Sequence, residues 1–128
     1  MRIRVLTISD NPNMRTGQGI IHRHICQGLY ESGYDVMSLG WSPEHIENKL
    51  PWFIYTTEKH KYYGEDLLDQ IIYHERPDIV ISIGDPWNFQ YVLHLHNRKF
   101  FQWVGYTAVD GEKHSGGVPS SWIPILKD

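Results

Sequence analysis

"RPDIVISIG", residues 76–84, decides the fold. A proline stands near its start, Ile79, Val80, Ile81 and Ile83 follow almost without a break, and Gly84 closes it. A strand with one wet face alternates apolar and polar residues. A nearly continuous apolar run belongs to a strand covered on both faces, as in parallel sheets. Working outward, "IRVLTIS" (3–9), "YDVMSLGW" (34–41) and "WFIYTT" (52–57) precede it with similar strand character, and "KFFQWVGYTAV" (99–109) follows it.

Helical stretches separate these runs. In residues 18–32, Ile21, Ile25 and Leu29 recur every four positions and make one apolar face. Gly28 lies beside that face, where a missing side chain would let the helix approach a sheet. Gly33 supplies the stop, a left-handed cap position that glycine adopts cheaply. Residues 64–75, "GEDLLDQIIYHE", form a second helix with Leu67, Leu68, Ile71 and Ile72 inward. A third spans residues 87–96, and another begins at Ser120 or Ser121, with Pro124 close to its start. The order β-α-β-β-α-β-α-β implies right-handed crossovers and an α/β fold, a doubly wound parallel sheet with strand order 3-2-1-4-5. Residues 42–51 are the most polar connection and read as an exposed loop.

The totals fit this picture. A chain of 128 residues with 41% hydrophobic and 21% charged residues suits a single globular domain, taken as residues 1–128. A net charge of −3 argues against a nucleic-acid partner, which requires a basic face. The single cysteine, Cys26, excludes an internal disulfide and fits a reducing cytoplasm. No apolar run approaches the roughly 20 residues of a membrane span. "MRIRVLTIS" (1–9) reads as a first strand and lacks the cleavage site of a signal peptide.

In a doubly wound sheet, ligands bind outside the carboxyl ends of the strands, where the strand order reverses. The loops expected there are "SDNPNMRTGQG" (9–19), "GDPWN" (84–88) and "VDGEKHSGG" (109–117), all rich in Asp, Asn, Gly and Pro. Those at the opposite edge are short turns. Asp10 and Asn11 open the first loop, and Thr16, Gly17, Gln18 and Gly19 end it. Gly17 and Gly19 can take positive φ and leave room for a ligand, and free amides at the start of the next helix attract an anion. Thr16 is either the cap of that helix or a hydroxyl donor to the ligand. The blander alternative for this loop is a glycine-rich turn that only reverses the chain. "TGQG" (16–19) lacks the third glycine of the dinucleotide fingerprint and the Lys-Ser/Thr of a P-loop.

Asp85 would orient or polarise a sugar hydroxyl, or else cap the helix that begins at Pro86. Asp110, followed by Gly111, carries the same two readings, ligand contact or turn residue. Of the five tryptophans, Trp87 is the one placed at this edge, and the others read as core or loop anchors. Eight histidines invite a metal, and His22 and Cys26 are four apart on a helix. His22 and His24, like His94 and His96, diverge by about 200° on a helix. No C-x-x-C or H-E-x-x-H pattern exists, so no metal site is assigned.

With these loops placed, the chain resembles the N-terminal domain of a GT-B fold glycosyltransferase, nearest the retaining glycosyltransferase family four. Residues 2–40, "RPDIVISIGDPWNFQYV" (76–92), "FQWVGYTAVDGE" (101–112) and "VPSSW" (118–122) carry the resemblance. It implies a Rossmann-like three-layer sandwich and transfer of a sugar from a nucleotide-sugar to a carbohydrate or other acceptor. It implies no cofactor and no metal beyond that donor substrate. Gly17 and Gly19 match the glycine loop that approaches the donor phosphates. Asp85 matches a polar position lining the cleft. Asp110 falls where many relatives carry a histidine beside the reacting sugar, which is a departure. A GT-B enzyme has a second such domain holding most donor contacts, so the chain by itself is expected to be inactive or nearly so. Two other readings stand beside this one. The first is a binding module for a nucleotide, phosphate or sugar without chemistry. The second is an assembly domain that dimerises through an apolar C-terminus near Trp122 and Ile125.

Overall fold

The computed structural model describes residues 2–107. Five parallel strands form one sheet in the order β3-β2-β1-β4-β5: β1 (Arg4–Asp10), β2 (Asp35–Trp41), β3 (Phe53–Thr56), β4 (Ile79–Ile83) and β5 (Gln102–Tyr106). This is a Rossmann-like α/β fold with the strand order expected from the sequence. The expected helix from Ser120 or Ser121, the end of the fifth strand at residue 109, and the apolar stretch around Trp122 and Ile125 lie outside the described residues.

Strand side chains alternate between faces, and the two faces of β1 are chemically different. Leu6 and Ile8 point to one side, where they pack with Met37, Leu39, Val80 and helix α2 (Leu68–Glu75) in the main core. Leu68, Ile71 and Ile72 fill the inward face of α2, and each fully buried side chain of this kind contributes about 1.5–3 kcal/mol. Thr7 points to the other side, toward helix α1 (Gly17–Glu31), in register with Ser38 on β2 and Ile81 on β4.

Helix α1 departs from its expected apolar face. Its buried residues are Gly19, His22 and Cys26, while Ile21, Ile25 and Leu29 are only partly buried. The cause lies across the interface, where Thr7 and Ser38 offer hydroxyls and a polar stripe is matched by polar partners. Gly28 is exposed, and a Cβ there would meet nothing within 4 Å, so it does not bring the helix to the sheet. Gly33, at φ +93, does supply the left-handed turn that ends this unit.

Helix α2 begins four residues later than its sequence pattern suggests. Residues 61–67 turn instead, because the Asp66 carboxylate accepts from the main-chain N–H of Lys61 and sits against the His60 ring, each at 3.0 Å. The third helix is not α-helical: Pro86–His94 is a 3-10 helix. Its buried residues are Pro86, Phe89 and Val92, spaced by three, the period at which 3-10 side chains stack in one column. A short 3-10 turn (Arg98–Phe100) then leads into β5.

Candidate functional site

All five strands end at one rim, and the loop after β1 sits at its centre. Thr16 is the N-cap of α1: its Oγ1 accepts from the Gly19 N–H at 3.0 Å and donates to Asp10 Oδ2 at 2.7 Å. One hydroxyl thereby satisfies a helix amide and fixes the carboxylate at the end of β1. The amides of Gly17 and Gln18 meet no acceptor among the described residues. They are the uncommitted N–H groups that the first turn of a helix presents outward.

The two glycines of this loop have different tasks, and neither has the positive φ expected for it. Both already lie inside α1, whose backbone is right-handed. A Cβ on Gly19 would stand 2.8 Å from the Met14 carbonyl oxygen and 2.9 Å from Thr16 Oγ1, so Gly19 is required by the loop's own folding. A Cβ on Gly17 would meet nothing within 4 Å. The space a ligand can enter is therefore at Gly17 and not at Gly19.

Gln18 links this loop to the end of β4. Its side-chain oxygen is 3.0 Å from the place a Cβ of Gly84 would occupy, and Gly84 takes φ +138. The Gly84 N–H donates to the Tyr106 carbonyl at 3.0 Å, which joins the end of β5 to the same rim. Asp85 follows directly and is half-buried, and its carboxylate makes no capping bond to the 3-10 helix. Trp87, at the second residue of that helix, is 53% exposed. Asn11 is 1% exposed and internally committed: it donates to Ser42 Oγ at 2.9 Å and accepts from the Asn13 N–H at 2.9 Å. Its amide braces the loop and is spent within it. Asp110 and Gly111 lie outside the described residues.

The sequence reading did not single out Tyr62 for this rim. Tyr62 is 43% exposed and packs on Trp41, ring centroids 6.1 Å apart, with Tyr63 against both. Burial pushes the Tyr62 phenol above its usual range, and the neighbouring Asp10 carboxylate and Tyr63 push it further. An aromatic ring thus packs on Trp41, the residue of β2 that pairs in register with Asp10. The only available signal was "YYG" (62–64) in an otherwise polar stretch after β3. Trp41 ends β2 at this rim and stacks on Phe89 at 5.2 Å, so Trp87 is not the sole tryptophan there. The Trp41 indole N–H and the Ser9 hydroxyl are buried without a partner among the described residues.

Beneath the rim runs a buried polar chain. His22 Nδ1 lies 2.8 Å from the Asp10 carbonyl oxygen, and a carbonyl can only accept, so Nδ1 carries the proton. His22 Nε2 then accepts from Thr7 Oγ1 at 2.6 Å. With its proton committed, Thr7 accepts from Ser38 Oγ at 2.8 Å and from Cys26 Sγ at 3.0 Å, and Ser38 accepts from the Trp52 indole N–H at 3.1 Å. Burial pulls the His22 pKa from 6.5 down to about 4 and pushes the Cys26 thiol up. A neutral histidine and an inert thiol are what such a site produces. Among the described residues no group of three or more His, Cys, Asp or Glu side chains is placed to hold a metal, and His22 and Cys26 are occupied with Thr7.

No protein family and no curated protein matches this chain by sequence.

Proposed function

We propose that the rim around Gly17 binds the phosphate-bearing part of a nucleotide-sugar, and that the chain is the acceptor-side half of a GT-B glycosyltransferase. The observation that carries this reading is the exposed start of α1. Two uncommitted amides, Gly17 and Gln18, stand over a surface with no Cβ in the way, between the ends of β1 and β4. An anion there gains hydrogen bonds from preorganised donors without displacing internal ones. The exposed ring of Tyr62, packed on the Trp41 that pairs with Asp10, is suited to a sugar, whose C–H face packs on an aromatic ring while its hydroxyls reach a carboxylate. Asp85, and Asp110 beyond the described residues, are the remaining acidic groups proposed for the transfer step. Closure of a second α/β domain over this rim would exclude water and add donors for the leaving diphosphate. A reducing cytoplasm is the compartment proposed, in keeping with one buried free thiol. Among the described residues no helix is long and apolar enough to cross a membrane.

One observation favours a binding module without chemistry. Of the carboxylates at the described rim, Asp10 is already engaged by Thr16, and the one nearby histidine is buried and neutral. The test is titration with uridine diphosphate and guanosine diphosphate, watching the amide signals of Gly17 and Gln18. Saturable shifts are expected with the native chain and none with Gly17→Val, whose side chain enters open space and leaves the fold intact. If neither nucleotide moves these signals at millimolar concentration, the reading fails. Sugar transfer by the chain joined to a second domain, lost in Asp85→Asn, separates the enzyme from the binding module.

A further inference from the structure

We propose that a second pocket, between the β1–α1 loop and residues 42–52, binds the phosphate group of a small phosphorylated molecule through Arg15, Arg23 and Lys49. The pocket has a volume of about 430 Å³, within the range of small-molecule sites and larger than a bare phosphate needs. Arg15 comes from the loop, Arg23 from the second turn of α1, and Lys49 from the connection between β2 and β3. Glu47 is the one carboxylate on its wall, and Ile46 and Leu50 give it an apolar side. Among the described residues, none of the three cations forms a salt bridge.

That concentration of positive charge is unusual for this chain, whose net charge is −3. Elsewhere one arginine beside a cavity is answered by two carboxylates. Arg4 borders another cavity, of about 260 Å³, and pairs there with Asp35 at 3.0 Å and with Glu75 at 2.9 Å. The pocket at Arg15 has no such internal counter-charge beyond Glu47. Its walls are also held in place. Asn13 Nδ2 donates to Asn48 Oδ1 at 3.2 Å, the Lys49 N–H donates to Asn13 Oδ1 at 3.0 Å, and Asn11 reaches Ser42. Asn48 in turn accepts from the Leu50 N–H and donates to the Trp52 carbonyl. Two loops from separate parts of the sequence are thus stitched together with the cations between them. Guanidinium groups match phosphate oxygens in pairs, which suits two arginines and a lysine to a phosphate monoester dianion.

The site goes beyond the rim reading and does not require sugar transfer. The experiment uses the whole 128-residue chain. Glucose 6-phosphate and glucose are titrated at constant ionic strength, with the arginine Nε–H and loop amide signals as readout. In parallel, sedimentation with phosphatidylcholine vesicles with and without phosphatidic acid distinguishes a lipid phosphate from a soluble one. Saturable shifts with glucose 6-phosphate and none with glucose, or sedimentation only with phosphatidic acid, support the site and name its source. Arg23→Gln and the exposed-loop variant Lys49→Gln should each weaken binding at least tenfold, equivalent to about 1.4 kcal/mol. Gly17→Val should leave it unchanged, so this site and the nucleotide rim fail independently. Absence of binding to both probes, or equal binding by Arg23→Gln and Lys49→Gln, overturns the proposal.

Discussion

His22 Nδ1 donates to the main-chain oxygen of Asp10 across 2.8 Å, bolting the second turn of α1 to the last residue of β1. The imidazole is fully buried and its pKa falls to about 4, against 6.5 for a free histidine. The unfolded chain therefore binds a proton that the folded chain refuses. Stability from this group is fully present above pH 6.5 and is lost as pH falls from 6.5 to 4, with no further loss below. At about 1.4 kcal/mol per tenfold in proton affinity, the loss is about 3 kcal/mol. Urea denaturation at a series of pH values should show that slope, and His22→Gln, though less stable at pH 7, should show little of it.

Glycine substitutions in the first loop should divide sharply. Gly19→Ala forces a methyl group against the Met14 carbonyl and should cost about 1–3 kcal/mol. Gly17→Ala has open space around it and a helical backbone, and should gain up to about 1 kcal/mol. Thermal unfolding of the two variants separates them directly.

Thr16→Ala removes both the helix cap and the hydrogen bond that orients Asp10. Its expected cost is about 1 kcal/mol, while Thr16→Ser restores most of it. Chemical denaturation gives the stability. Nucleotide titration should show weaker binding in the alanine variant, because Asp10 is then free to turn toward the anion.

Arg76 ends α2 in a left-handed conformation, at φ 51 and ψ 54, which is unfavourable for a residue with a Cβ. Arg76→Gly relieves about 1–2 kcal/mol of that cost. It gives up the exposed bond from Nε to the Tyr73 carbonyl and the 5.3 Å contact with the Tyr73 ring. The net expectation is a gain of about 1 kcal/mol, read as a raised melting temperature.

The sheet was legible because each strand announces itself alone: "IVISI" (79–83) and "RVLTI" (4–8) need no partner to be recognised. The buried stripe of α1 was not, because it is set by what lies opposite. His22 and Cys26 look like surface or metal-binding residues until Thr7 and Ser38 stand across from them. The 3-10 helix was hidden for a related reason. Phe89 and Val92, three apart, fit an α-helix as well as a 3-10 helix on a hydrophobic pattern. At the rim, Thr16 was legible as a cap from local sequence. Tyr62 was not, because its place on Trp41 depends on how residues 57–67 fold back toward the end of β2.

The column Pro86, Phe89 and Val92 makes the β4–β5 crossover unusually economical of chain. Nine residues rising about 2 Å each cover about 18 Å, a distance that takes about twelve residues of α-helix. That economy makes the segment intolerant of changes in length. One residue inserted between Phe89 and Val92 would rotate everything after it by about 120°, swinging Val92 out of the interior and replacing it with Tyr91. Evolutionary drift in this stretch should thus proceed by exchange of residues, and deletions or insertions should collect in the loops at either end.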